Sequence, residues 1–220
     1  MVKISIVGAG PGSADYVTPI AKRTVKNAQL VVGAERALTL FRDDIKGETL
    51  KITAGNMNEA LKRAVEYAEK GRTVVLLSTG DPGFSGLLRT FRNAVGEKDV
   101  EVNVVPGISA VQTCAARLCI SWDETCLMSF HEGTSPEKKK KLSEAVKNGN
   151  DVMLLPDPKS FAPSHIAKFL IGEGVAGDTP VIVCENLTLD GERVASSTLR
   201  GISEASFASL SVMVIRPSHK

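Results

Sequence analysis

The sequence predicts an α/β fold of the doubly wound kind, and three observations carry that expectation. Short apolar runs such as Lys3-Ile4-Ser5-Ile6-Val7 alternate with amphipathic stretches of helical period. Three of the runs end in a Gly/Pro loop that opens a helix: Val7-Gly8-Ala9-Gly10-Pro11-Gly12, Ser78-Thr79-Gly80-Asp81-Pro82-Gly83-Phe84 and Val105-Pro106-Gly107-Ile108-Ser109-Ala110. Such loops sit at the carboxyl ends of sheet strands, where glycine lets backbone amides approach a ligand and helix N-termini add positive potential. Three of them in one half of the chain predict a ligand cleft. Finally, 220 residues with 43% hydrophobic and 24% charged content are enough for two modest domains, each burying its own core.

Taken in order, the run Lys3 to Val7 is ended by glycine, as expected of a parallel strand buried on both faces. Thr18 followed by Pro19 marks a helix start, a capping hydroxyl ahead of proline at the first helical position. Leu30-Val31-Val32 is a second strand and Ala34 to Phe41 a short helix. A longer helix is expected from Asn58, its cap, to Lys70, stopped by Gly71, with Ala60, Leu61, Ala64, Val65 and Ala68 on one face. Thr73 to Leu77 and Val100 to Val105 are further strands.

A domain boundary is expected near Arg117 to Asp123, dividing the chain into residues 1–117 and 118–220. Beyond it, a helix from Glu137 to Val146, a strand from Val152 to Leu155 and a helix from Pro163 to Gly172 continue the alternation. The style then changes. Val181 to Cys184, Leu187-Thr188-Leu189, Glu192-Arg193-Val194 and Ser211 to Ile215 read as strands, and Asp190-Gly191 is a hairpin signal. The second domain is therefore expected to be mixed α/β with antiparallel strands at its end.

A net charge of +2 and a sequence pI near 8.3 give no reason to expect a nucleic-acid partner, while an anionic small substrate is compatible. Cys114, Cys119, Cys126 and Cys184 show no C-x-x-C spacing and lie in apolar contexts, which predicts buried free thiols. His131, His165 and His219 are too scattered for a metal motif, so no metal site is expected. No apolar run reaches about 18 residues, and the chain opens directly into a strand without a signal peptide. A cytoplasmic protein with no membrane partner is expected.

The loop Gly8-Ala9-Gly10-Pro11-Gly12-Ser13 invites comparison with a dinucleotide fingerprint. The third glycine of G-x-G-x-x-G would fall where this chain has Ser13, Pro11 removes an amide, and the helix starts only near Thr18. A nicotinamide or flavin enzyme is not expected. The three loops together, with Thr18 six residues beyond Gly12, resemble those of the tetrapyrrole methylases. Within that family Val31-Val32-Gly33-Ala34-Glu35-Arg36, Ser78 to Gly86 and Val183-Cys184-Glu185-Asn186-Leu187 are most similar to members that methylate C5 of cobalt-precorrin-7 in cobalamin biosynthesis. Ser13-Ala14-Asp15 departs from the Asp-Pro that many relatives place after the glycine.

The resemblance implies two α/β domains with S-adenosylmethionine bound in a cleft between them, a homodimer, and a separate decarboxylating C15 methyltransferase in the same pathway. It implies that Pro11 closes one wall of the cofactor site. Asp81, with the backbone of Gly83 and Phe84, lines the methionine end, and Ser109 and Ala110 contact the cofactor at the next loop. Leu155 and Asn186 frame the adenosine from the second domain. The substrate, an anionic tetrapyrrole, carries many carboxylates, which makes Arg36 and Arg89, just after the second and fourth strands, candidates to bind them. The run Lys138 to Lys141 is expected to be a solvated helix face.

Methyl transfer from a sulfonium needs alignment more than it needs a nucleophilic side chain, so no catalytic acid or base is assigned. Asp15, Glu35 and His131 are polar groups near the predicted loops. The competing readings are another methylase of the family, acting at a different corrin position or as a diphthine synthase on a protein, and a non-catalytic nucleotide-binding module.

Overall fold

The computed structural model describes residues 2–96 and 99–217. Two compact units divide the chain, Met1–Ser109 and Ala110–Lys220. In the first, strands β1 (Val2–Gly8), β2 (Leu30–Ala34), β3 (Glu48–Ile52), β4 (Val74–Ser78) and β5 (Val100–Val105) form an all-parallel sheet in the order β3-β2-β4-β1-β5. The near-continuous apolar runs have a direct cause: both faces of this sheet are covered. Ile4, Ile6, Leu30, Val32, Val74 and Leu76 pack with Ala60, Leu61, Ala64 and Val65 of α3 (Met57–Glu69) and Phe91 of α4 (Leu87–Val95). Their sequence neighbours Val7, Val31, Val75 and Leu77 point the other way, onto Ala21 and Val25 of α1 (Pro19–Lys26), Ala37 of α2 (Glu35–Leu40) and Phe41. Helix α1 starts as its sequence predicts, the Thr18 hydroxyl accepting the Ala21 amide at 3.2 Å with Pro19 at the first helical position.

The second unit contains β6 (Cys126–Ser129), β7 (Val152–Leu155), β8 (Pro180–Glu185), β9 (Arg193–Thr198) and β10 (Ser211–Ile215), ordered β6-β7-β10-β8-β9. Only β6 and β7 run parallel; β10 is antiparallel to both β7 and β8, and β8 to β9. Val152, Leu154, Val181, Val183, Met213 and Ile215 share one core with α6 (Pro136–Lys147), α7 (Pro163–Gly172) and α8 (Leu199–Glu204). The alternate residues Met153, Cys184, Val212 and Val214 are buried on the opposite face. That face carries α5 (Ala110–Arg117), whose Cys114 Sγ lies 3.5 Å from Cys184 Sγ. Because α5 packs on β7 and β10, it groups with the second unit, and the break precedes the helix instead of following residue 117 as the sequence predicts.

Several local expectations are corrected. Helix α3 begins ahead of Asn58: Asn56 stands at the cap position but spends its side chain on the amide and hydroxyl of Thr53, 2.7 and 3.0 Å away. Leu187-Thr188-Leu189 is not a strand, because Asn186 (φ 49°) and Thr188 (φ 67°) are left-handed and the segment turns on itself. Asp190-Gly191 does lie in the β8–β9 hairpin, in a loop longer than the two residues that dipeptide usually closes. Cys119 is exposed, not buried. Strands β3 and β6 and helix α8 carry too weak a pattern to read: β3 is an edge strand with three of five residues exposed, and α8 has six residues.

Candidate functional site

The three strand-end loops of the first unit meet backbone against backbone. A Cβ at Gly8 would stand 2.5 Å from the Gly107 Cα and 2.7 Å from the Gly80 carbonyl oxygen, so side chains are excluded where the loops touch. The Ala9 amide donates to the Ser78 carbonyl at 2.8 Å, and the Gly80 amide to the Gly10 carbonyl at 2.9 Å. Buried Ser78 accepts the first amide of α4, that of Leu87, on its hydroxyl at 3.0 Å. Gly86 is packed between them; a Cβ there would lie 2.6 Å from that hydroxyl and 2.7 Å from the Pro82 Cα.

Asp81 joins two of the loops. Its Oδ1 accepts the Gly83 amide at 2.8 Å and its Oδ2 the Gly107 amide at 3.1 Å. A carboxylate offers about four acceptor positions, so two remain for a cationic ligand group. These acceptor positions fit a cationic group such as an ammonium. Pro11 is buried, and its carbonyl accepts Arg36 Nη2 at 3.1 Å, which ties the first loop to α2. Gly83 is exposed and Phe84 half-buried; Ser109 is buried and Ala110 opens α5. Arg89 is exposed in the first turn of α4. Of the other polar groups near the loops, Glu35 pairs with Lys51 on β3, and Asp15 is exposed in a 3-10 turn, Ala14–Tyr16.

In the second unit, Leu155 ends β7 half-buried and its carbonyl accepts the Phe130 amide at 2.9 Å. Asn186 follows β8, its amide bonded to the Leu210 carbonyl at 2.9 Å and its Nδ2 to the Gly191 carbonyl at 3.4 Å. Three arrangements here escaped the sequence reading. Buried Glu185 holds Arg193 and the Ala208 amide on its carboxylate. Arg117 grips Glu192 in a fork, Nε–Oε1 2.6 Å and Nη2–Oε2 3.1 Å. Cys114 donates its thiol proton to Cys184, and that bond together with burial pushes the Cys114 pKa well up. The partners are separated by eight to 75 residues in sequence, with no local motif to announce them.

At the ends of β6 and β7, Asp157 Oδ1 accepts the amides of Ser160 and Lys159 at 2.7 and 2.8 Å, bonds that hold its pKa below the ordinary carboxylate range. The nearby His131 keeps an open face, yet the protein packed around its ring lowers its pKa, with the Asp157 charge pulling the other way. The lysine run is only partly a solvated face. Lys138 bonds the Ser129 and Gly133 carbonyls, and Lys139 lies over Phe161 at 4.6 Å, whereas Lys140 pairs with Glu144 in solvent.

The profile of the tetrapyrrole (corrin/porphyrin) methylases matches residues 3–203, nearly the whole chain. The chain belongs to that family. This methylase is 40% identical over 213 residues to the "probable cobalt-precorrin-7 C(5)-methyltransferase" of Methanocaldococcus jannaschii, covering 96% of each chain. To the cobalt-precorrin-4 C(11)-methyltransferase of the same organism it is 26% identical, over 92% of this chain and 81% of that one. Among solved structures, the cobalamin-biosynthesis precorrin-6Y methylase CbiE of Archaeoglobus fulgidus matches with a TM-score of 0.74 at 26% identity, each chain fully covered. This methylase is thus a transferase of one-carbon units whose methyl donor is S-adenosylmethionine, and its two-sheet α/β architecture is that of its structural relatives. Among the described residues no helix is long and apolar enough to cross a membrane.

Proposed function

We propose that this methylase transfers a methyl group to C5 of cobalt-precorrin-7 in cobalamin biosynthesis. The observation that carries the C5 assignment is the margin in identity: the C(5) relative exceeds the C(11) relative of the same organism by far, over almost the full chain. The donor supplies a methyl group already activated by its sulfonium. What the chain must add is alignment, and holding two reactants in line supplies about 7 to 11 kcal/mol of the barrier. The electron-rich meso carbon would form the new carbon–carbon bond as the carbon–sulfur bond breaks, S-adenosylhomocysteine leaving as a neutral thioether and the methylated macrocycle giving up a proton to solvent, with no side-chain nucleophile in the step.

Within this proposal the Asp81 carboxylate, already fixed by the Gly83 and Gly107 amides, takes the ammonium of the methionine end. Phe84 and Gly83 line that end, Pro11 walls it, and Ser109 and Ala110 supply contacts at the third loop. Leu155 and Asn186 frame the adenosine. Arg36 and Arg89 bind carboxylates of the macrocycle; Arg36 spends one of its donors on Pro11 and keeps the rest of its fork. A cytoplasmic location, a homodimeric assembly and a separate C15 methyltransferase as pathway neighbour belong to the same proposal and rest on family analogy.

Incubation with cobalt-precorrin-7 and methyl-labelled S-adenosylmethionine tests it. One label on the macrocycle at C5 is expected. Arg36→Ala and Arg89→Ala are expected to weaken macrocycle binding by the equivalent of about 1.5 to 3 kcal/mol, a charge-assisted pair, and cofactor binding by less. Label at another ring carbon, or on a protein alone, would replace the C5 reading with a different member of the family.

A further inference from the structure

We propose that Glu192 is a positioning residue for the cofactor: braced by Arg117 on α5, it fixes the β8–β9 loop in the shape that presents Asn186 to the adenosine. The inference rests on the reading above that Asn186 contacts the cofactor. The loop needs bracing. Asn186 and Thr188, neither of them glycine, both hold a left-handed backbone (φ 49° and 67°). Such residues persist only where their surroundings over-determine them.

Glu192 supplies much of that constraint. Its Oε2 accepts the Thr188 amide at 2.7 Å, one turn ahead of it in the same loop. The Glu192 amide in turn donates to the Leu189 carbonyl at 3.1 Å, and the Leu189 amide to the Asn186 carbonyl at 2.9 Å. The chain of bonds therefore runs from Glu192 back to Asn186. Both carboxylate oxygens are also gripped by the Arg117 fork, at 2.6 and 3.1 Å. Arg117 is the last residue of α5, the helix that Ala110 opens, so one ion pair registers two proposed cofactor contacts, Ala110 and Asn186, against each other. The buried contact of Cys114 with Cys184, 3.5 Å between sulfurs, pins the same helix to the strand that leads into Asn186.

The Asn186 side chain is left competent to bind. Its Nδ2 donates one bond to the Gly191 carbonyl, and an amide carries a second N–H and a carbonyl besides. Exposure separates this role from simple stabilisation. The Arg117 and Glu192 side chains are 47% and 23% exposed, and ion pairs in contact with solvent contribute little to stability. Loss of the pair is therefore expected to show in cofactor affinity with a small change in melting temperature.

The test measures S-adenosylhomocysteine affinity by calorimetry, the KM for S-adenosylmethionine, kcat, and thermal unfolding for wild type, Glu192→Gln, Arg117→Met, Arg117→Lys and Asn186→Ala. Glu192→Gln and Arg117→Met are expected to raise Kd and the cofactor KM by up to about tenfold, the upper end for loss of the one neutral hydrogen bond that Asn186 makes, with kcat and macrocycle KM held and the melting temperature within a few degrees. Arg117→Lys, which keeps the charge without the fork, is expected to recover part of the loss. Glu192→Gln combined with Asn186→Ala is expected to bind no more weakly than Asn186→Ala alone, because the two act through one contact. Additive losses in the double variant, or wild-type affinity in both single variants, would overturn the proposal. Absence of any binding by the wild-type protein would instead overturn the cofactor reading beneath it, so the two failures are distinct.

Discussion

The two sheets shape the loops at their strand ends by different means. In the first, every strand is parallel and both faces are covered by helices, so the central strands β1, β2 and β4 are largely apolar and the chain turns at three glycine loops packed backbone to backbone. Shape there is set by the absence of side chains. In the second, three of four neighbouring strand pairs are antiparallel, and the loop after β8 is shaped by charged side chains, Glu185 with Arg193 and Glu192 with Arg117. Loops held by backbone contacts leave a local signature in sequence, whereas loops held by ion pairs between distant residues do not.

The largest expected effect falls on the backbone-built side. Gly107→Ala puts a Cβ 2.7 Å from the Gly8 Cα, with backbone on every side and no flexible neighbour to yield. It is expected to cost about 3 kcal/mol, the upper range for forcing atoms into a packed site. Gly172→Ala, at the end of α7 with nothing within 4 Å of the new Cβ, is expected to be neutral or to stabilise by up to about 1 kcal/mol. Urea denaturation of the two variants checks the pair, and equal destabilisation would break the claim that contact at the loops, and not glycine itself, is what the fold requires.

On the side-chain-built side, order matters. Arg193→Met strands the Glu185 carboxylate, 4% exposed, with the Ala208 amide still bonded to it, at an expected cost of about 2 to 3 kcal/mol. Glu185→Gln leaves an arginine 58% exposed that water can rehydrate, and about 1 kcal/mol is expected. The reverse ranking in chemical denaturation would mean that packing of Arg193 over Phe207, 5.7 Å from its ring, outweighs the buried charge.

The smallest effect concerns pH. Amide bonds lower the Asp157 pKa in the folded protein, so the native state binds its proton less readily than the unfolded chain. The stability this confers is complete above the ordinary aspartate pKa of about 3.9 and is lost as pH falls through the lower folded value. Wild type is therefore expected to exceed Asp157→Asn in melting temperature at neutral pH and to converge with it in acid. A difference that widened in acid would reverse the sign and contradict the bonding seen at Ser160 and Lys159.

Legibility follows the same division. The strands β1, β2 and β4, the helix start at Thr18 and the three loops were readable because period, capping hydroxyl and glycine act over a few residues. The β7 strand and α7 were readable for the same reason. Leu187 to Leu189 was misread since an apolar-polar-apolar alternation cannot reveal that Asn186 and Thr188 are left-handed. The division falls ahead of α5 and not after residue 117 because a helix that opens from a first-unit loop packs on second-unit strands. The family resemblance points to Asp81 as a ligand group, but its bonds to Gly83 and Gly107 add a structural task that no spacing announces.

The most direct measurement is a calorimetric titration of wild type and Asp81→Ala with S-adenosylhomocysteine, with NAD as the control ligand. Wild type is expected to bind S-adenosylhomocysteine and not NAD, and Asp81→Ala to bind about tenfold or more weakly, having lost the carboxylate proposed to meet the ammonium. The variant is also expected to keep cooperative unfolding with a loss of about 1 to 2 kcal/mol from the two amides left without it. Heat from NAD, or undiminished S-adenosylhomocysteine binding by Asp81→Ala, would contradict a cofactor site built on these strand-end loops.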